Sequence, residues 1–267
     1  MTPLPDDAFD RCAAPPFVPS GRRHLVVCGA PVELLWLPER RQRRGRPAAD
    51  RPAFAPSVVE RIVAEEAVWE DAELALTPNR FPFAARQLVL WSKRALREPD
   101  AALLEPALAF ADRHGATVLV NTVGAAASVP RAHLHLLAEP LPFCAALPFE
   151  PWAAGTTLGL QSVRVARAAP PFPALLVELR GPAGARARAA ARLLELRTTP
   201  AVNLVDHGGR TWVFPRSAIE TPGTGFPQAL GAAELAGRWC FHDEAPFRHA
   251  DPDALTEALR RAGCARS

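Results

Sequence analysis

Two histidines stand two residues apart in Arg131-Ala-His-Leu-His-Leu-Leu137, and alternate residues of a strand share a face. A strand over 132–137 therefore lines one side with Arg131, His133 and His135 and sends Leu134 and Leu136 into the core on the other. Two imidazoles and a guanidinium in a row suit an anionic ligand. Phosphate fits especially well, because arginine forks onto its oxygens and a neutral imidazole can attack phosphorus. The same pair also fits a metal site or a plain polar face, so the row alone leaves the chemistry open. The residues just before it narrow the choice. Asn121-Thr-Val-Gly-Ala-Ala-Ala-Ser128 supplies small side chains, among them Gly124 and Ala127, that let a ligand approach backbone N–H groups, and it ends in the hydroxyl of Ser128. A small-residue loop running into a histidine strand is the arrangement of a phosphate cradle facing a nucleophile.

The elements that must hold this row can be read on both sides of it. Residues 117–121 and 87–91 read as strands, and 99–114 as a helix whose regular part begins at Pro106 and ends at Gly115. Further back, Ser57-Val-Val-Glu60 has the form of a capping box opening an amphipathic helix. Before it, 24–28 and 31–37 read as short strands. The second half repeats the grammar: a strand over 173–179, a helix over 185–197, then 201–205 and 211–214 as a hairpin around His207-Gly-Gly209. The order strand, helix, paired strands thus occurs twice, which predicts an α+β protein built as a duplicated unit on one continuous core. The expected division is an N-terminal arm over 1–22, a first half over 23–150 carrying the histidines, and a second half over 151–267. The proline-rich stretch 138–172 reads as the connection, and 228–238 and 251–262 as helices.

Composition removes several alternatives. The chain has 267 residues with a net charge of +3, its 31 basic and 28 acidic residues are interspersed, and 49% of it is hydrophobic. Those values place it among ordinary globular proteins and imply no nucleic-acid partner. One basic cluster runs from Arg40 to Arg51 and reads as a solvated loop or as a phosphate-attracting lip near a site. Cys12, Cys28, Cys144, Cys240 and Cys264 form no CxxC pair, so no zinc knuckle and no disulfide framework is expected, and a reducing cytoplasm fits. The N-terminal residues lack a cationic stretch followed by an apolar one, and no apolar run approaches the ~20 residues of a membrane span. Secretion and membrane association are not expected, nor is a cofactor or a metal.

Ser128-Val-Pro-Arg-Ala-His-Leu-His-Leu-Leu137 resembles the histidine triad superfamily, with Arg131, His133 and His135 at the three triad positions. Asn79-Arg-Phe-Pro-Phe83 followed by Gln87-Leu-Val-Leu is similar to that superfamily's Asn-x-aromatic-Pro-aromatic segment and its next strand. Residues 203–216 and 229–237 resemble the C-terminal half of the two-lobed branch, which holds galactose-1-phosphate uridylyltransferases, diadenosine tetraphosphate phosphorylases and GDP-hexose phosphorylases. The resemblance implies a HIT-like antiparallel sheet with flanking helices in a two-lobed arrangement, and a homodimer as one form of assembly. It implies a nucleotidyltransferase or phosphorylase acting on a nucleotide sugar or dinucleotide polyphosphate, with His133 as nucleophile and inorganic phosphate or water as acceptor. Asn79, Phe81 and Arg216 are implied as substrate contacts, as are Asn121, Gly124, Ala127 and Ser128 of the loop. Two positions depart from the pattern. Arg131 replaces the first histidine and brings a permanent charge beside His133, while His135 stands where transferases and phosphorylases of this branch usually have glutamine. A histidine triad hydrolase, and a nucleotide-binding protein without catalysis, are the alternatives those departures raise.

Overall fold

Leu74, Leu76, Leu88, Leu90, Leu134, Leu136, Val118 and Val120 recur at every second position of four stretches, which dictates strands with one face turned into a core. The computed structural model describes residues 3–12, 17–43, 56–127, 129, 131–217 and 226–266. In chain order the strands are β1 (Gly21–Val27), β2 (Ala30–Trp36), β3 (Trp69–Glu70), β4 (Leu74–Pro78), β5 (Leu88–Ser92), β6 (Thr117–Asn121) and β7 (His133–Leu137). They continue as β8 (Phe149–Pro151), β9 (Arg164–Ala168), β10 (Val177–Arg180), β11 (Ala201–His207), β12 (Arg210–Arg216) and β13 (Arg238–Phe241). The helices are α1 (Pro56–Glu66), α2 (Ala101–His114), α3 (Phe143–Ala146), α4 (Ala154–Thr157), α5 (Ala183–Leu196), α6 (Ala232–Leu235), α7 (Glu244–His249) and α8 (Pro252–Ala262), with a 3-10 turn at Pro38–Arg43.

Ten strands form one sheet in the order β3-β4-β5-β7-β6-β11-β12-β10-β9-β8, antiparallel at every pairing. The order β4-β5-β7-β6 is repeated as β9-β10-β12-β11, with the 14-residue helices α2 and α5 at matching places in the chain, and β6 and β11 join the two. The protein is therefore α+β with a large antiparallel sheet. Helices α2 and α5 cover the leucine face together with Leu4, Ala8 and Cys12 of the N-terminal segment. On the opposite face α1 covers β4 and β5 near one edge. Nearer the middle, that face carries a small sheet in which β2 pairs antiparallel with β1 and parallel with β13. Among the described residues no helix is long and apolar enough to cross a membrane.

Local chemistry explains the element ends. Asp100 accepts from the Leu103 N–H at 3.0 Å to open α2, and Gly115, at φ 62°, closes it with its N–H on Ala111 O. Asp251 and Pro252 open α8 as their types require. Four expectations are corrected. α2 is regular from Ala101, so Pro106 lies inside it, tolerated at the cost of the one N–H it lacks. β1 begins at Gly21, within the stretch read as an arm. The 138–172 connection contributes β8 and β9 to the main sheet. The helix expected over 228–238 is only the four residues of α6, followed by β13. Gly237 makes the break at φ 95°, where a Cβ would stand 2.5 Å from that of Phe143, and pairing with β2 outweighs the helical bias of the alanines. Of the basic run, residues 44–51 lie outside the described residues.

Candidate active site

The sheet's register assembles the site. In β7, His133 lies opposite Trp91 of β5, and His135 lies opposite Val89 on one side and Leu119 of β6 on the other. Leu134 and Leu136 enter the helix-covered core, so both imidazoles face the other way, as strand alternation requires. They are buried, with ring centroids 5.3 Å apart and planes at 84°. The cluster of Val59, Val63, Ala75, Val89 and Trp91 lies toward the α1 side of them, and the larger core of Phe83, Leu119, Leu137 and the small sheet lies toward the other.

Each ring is oriented by a different partner. His133 Nδ1 lies 2.7 Å from the carbonyl oxygen of Arg131. A carbonyl only accepts, so Nδ1 carries the proton and the neutral ring has its lone pair on Nε2. His135 Nδ1 lies 3.1 Å from Gln87 Nε2. Gln87 Oε1 accepts from the Phe83 N–H at 3.0 Å, which fixes the amide with its NH₂ toward the imidazole. Gln87 therefore donates, His135 Nδ1 accepts, and the proton of the neutral His135 sits on Nε2. The pair thus holds one lone-pair nitrogen and one N–H donor in neighbouring rings. Trp91 tilts against His133 at 5.0 Å, its own N–H anchored on Thr77 Oγ1 at 2.9 Å, and Phe83 meets His135 edge-on at 6.0 Å.

Arg131 is buried, and its Nε and Nη2 donate to the carbonyls of Ser92 and Lys93 at 3.1 and 2.6 Å. Those bonds clasp Arg131 to the end of β5 and fix the carbonyl that orients His133. Burial pulls the Arg131 guanidinium down from the usual arginine range, against the opposing pull of Glu60 on α1.

Asn121 forms a second polar cluster with Asn203, its partner across the β6–β11 junction. Asn121 Oδ1 accepts from Asn203 Nδ2 at 2.7 Å and from the Ala232 N–H at 2.8 Å, while Asn203 Nδ2 also donates to Ala125 O. Arg216 is buried on β12, donating to Asn203 Oδ1 at 2.9 Å and to Leu230 O. Asn121 and Arg216 are therefore brought together, and they join the 122–127 loop to the segment around Gly231. Gly124, at φ 88°, and Ala127 are both buried in that loop, and Ser128 lies outside the described residues.

On the β4–β5 side, Asn79 is buried. Its Oδ1 accepts from the Phe81 N–H at 3.1 Å, and its Nδ2 has no hydrogen-bond partner among the described residues. Sequence reasoning missed Gln87, Trp91, Thr77 and Phe83 as parts of the site. The available signal was the alternation 87, 89, 91, which puts a polar amide and an indole on one face of a buried strand. β12, the counterpart of β7, presents Trp212, Phe214 and Arg216 to the same face, so the imidazole pair occurs in one of the two repeats.

No protein-family model matches the sequence, and no curated protein matches it. Solved structures do. A yeast Ap4A phosphorylase, Apa2, in complex with AMP superposes with a TM-score of 0.67 at 14% identity, covering 92% of this chain and 89% of that one. A second structure of the same enzyme gives 0.65 at 15% identity, covering 92% and 90%, and its complex with Ap4A gives 0.62 at 16%, again covering 92% and 90%. The fold is HIT-like. In this sheet β7 lies next to β6 at the β6–β11 junction, with its imidazoles toward the face partly covered by the small sheet.

The cysteines play no part in this arrangement. Cys144 and Cys240 are buried and their thiols are pushed up, Cys240 to about 12, so both stay protonated. No group of three or more His, Cys, Asp or Glu residues among those described is placed to hold a metal.

Proposed function

We propose that this protein transfers a nucleoside monophosphate group from a nucleotide sugar or dinucleotide polyphosphate through His133. Nε2 of His133 forms a bond to the α-phosphorus as the bond from phosphorus to the departing oxygen breaks, and the electron pair leaves with that oxygen. An oxygen of inorganic phosphate then attacks the same phosphorus, the P–N bond breaks, and its electron pair returns to Nε2. The products are a nucleoside diphosphate and the displaced sugar phosphate or nucleotide. His135 Nε2–H donates to a non-bridging oxygen on the attacked phosphorus, and backbone N–H groups of the Gly124–Ala127 turn serve the developing charge. Asn79 and Phe81 contact the nucleoside, with Nδ2 of Asn79, which has no partner among the described residues, as donor. Arg131 acts chiefly through its carbonyl.

The observation that carries this reading is the pair of Nδ1 contacts, a carbonyl on one imidazole and an amide NH₂ on the other, which set opposite tautomers in the two neutral rings. A metal pair needs both rings to offer lone pairs to one point, and a plain polar face needs no such control. The fold shared with a phosphorylase adds support. Hydrolysis through the same intermediate is the second reading, favoured by an imidazole rather than an amide at position 135, and it differs only in the second acceptor.

The test uses nucleotide sugars and dinucleotide polyphosphates labelled at the α-phosphate. Rapidly quenched protein is expected to retain acid-labile, base-stable label that His133→Ala cannot form. Diphosphate products in the presence of phosphate indicate phosphorolysis, and monophosphate products indicate hydrolysis. Turnover with no label ever trapped assigns direct displacement and removes the role given to His133.

A further inference from the structure

Three arginines near the histidine face are engaged by protein groups: Arg131 by two carbonyls, Arg216 by Asn203 and Leu230, and Arg238 by Glu33, Glu139 and the Phe83 carbonyl. Arg40, in the 3-10 turn after β2, is placed differently. Its Nη1 donates to the Phe81 carbonyl at 2.7 Å, and its guanidinium carbon sits 5.1 Å from the centroid of the Phe83 ring, the ring that meets His135 edge-on. Phe83 therefore neighbours both this cation and the imidazole. Its charge also lowers the Glu234 carboxyl and the Cys240 thiol, in the segment that closes over the sheet near Asn121. Arg40 thus packs against the Phe81–Phe83 segment and its charge reaches the 234–240 segment.

Among the described residues Arg40 has no carboxylate partner. Glu234, the acid it acts on, accepts instead from the Gly231 and Cys240 N–H groups. Of its nitrogens, Nη1 is bonded to Phe81 O, and Nε is enclosed with no partner among the described residues. A guanidinium pinned by a carbonyl and an aromatic face, with no carboxylate bonded to it among the described residues, is preorganised for an anion.

We propose that Arg40 binds the phosphate group that enters or departs opposite the nucleoside, making an anion rather than water the preferred acceptor. This rests on the transferase reading above for its place in the reaction, though not for the anion site itself. During transfer the group held by Arg40 is first the departing phosphate oxygen's own phosphate and then, after exchange, the attacking inorganic phosphate.

The test measures inorganic pyrophosphate binding by calorimetry, and the phosphate dependence of diphosphate release, for wild type, Arg40→Gln and Arg40→Lys. Glutamine keeps a donor for the Phe81 carbonyl and removes the charge, while lysine keeps the charge and loses the planar fork. Pyrophosphate affinity is expected to fall about tenfold or more in Arg40→Gln, with Arg40→Lys between it and wild type, as loss of a charge-assisted contact predicts. The phosphate concentration for half-maximal diphosphate release rises in the same order. Equal pyrophosphate affinity in wild type and Arg40→Gln, or no binding by wild type, overturns the proposal. Binding that depends on Arg40 in a protein that releases no nucleotide from any substrate defeats the transferase reading and leaves the anion site standing.

Discussion

His133 and His135 are the same side chain on the same strand face, and their different roles come from what each Nδ1 meets. A carbonyl forces a proton onto one Nδ1, and an amide NH₂ excludes it from the other. Gln87 is therefore expected to act as a positioning residue. In Gln87→Leu, His135 loses its orienting donor, and turnover is expected to fall by the equivalent of about 1–3 kcal/mol, the cost of a lost buried hydrogen bond. Gln87→Glu is more telling. A carboxylate at that place attracts a proton to Nδ1 and raises the affinity of His135 for a second proton, so the imidazolium persists to higher pH. The pH–rate profile of Gln87→Glu is expected to gain a limb displaced to higher pH that neither wild type nor Gln87→Leu shows. A rate loss equal in both variants, with unchanged profiles, would reduce Gln87 to packing. The imidazole pair and the inward leucines were legible from strand alternation alone. Gln87 was not, because its contact with His135 depends on the pairing of β5 with β7, and one sequence carries no direct record of register.

At the scale of elements, two loops meet over the β6–β11 junction, and their separation is set by Gly231. A Cβ at that glycine would lie 3.0 Å from the Ala126 Cβ and 3.1 Å from Asn121 Oδ1, both tighter than ordinary contact. Its backbone, at φ −119°, is open to any residue, so close approach and not conformation demands glycine there. Gly231→Ala is expected to push the 230–235 segment away from the 122–127 loop and lengthen the Ala232 N–H bond to Asn121. A stability loss of about 1–3 kcal/mol follows from overpacking, read as a lowered denaturant midpoint, together with a raised KM for nucleotide. Stability and KM at wild-type values would show that the two loops move apart freely. This junction also marks where sequence reasoning failed. Alanines around 229–236 have high helix propensity, yet the chain turns at Gly237 into β13, because a partner strand more than 200 residues earlier is there to receive it. Propensity is a local quantity and that pairing is not.

Across the whole molecule, the repeated strand order makes one continuous sheet, and the packed helices of the two repeats need a tie on the face opposite the histidines. Arg186 of α5 supplies it. Fully buried, it bonds Asp112 of α2 at 2.9 Å, Asp206 of β11 at 3.1 Å and Thr211 of β12 at 3.1 Å. Burial pushes the Asp206 carboxyl up to about 6, while Arg186 and Thr211 pull it down. An aspartate in the unfolded chain titrates near 3.8, so between about pH 4 and 6 the native state holds a proton that the unfolded state has released. The contribution of this group to stability is thus complete below the unfolded value and is lost as pH rises through about 6. Asp206→Asn cannot titrate yet keeps an acceptor for Arg186. The stability of wild type relative to Asp206→Asn is therefore expected to fall by about 2–3 kcal/mol from pH 4 to pH 6.5 and to stay level above that. Denaturant unfolding of both proteins across that range measures the difference, from which the titration of all other groups cancels. A difference that rises with pH would mean that the Arg186 charge dominates, and that the tie between the repeats is an ion pair from acid pH upward.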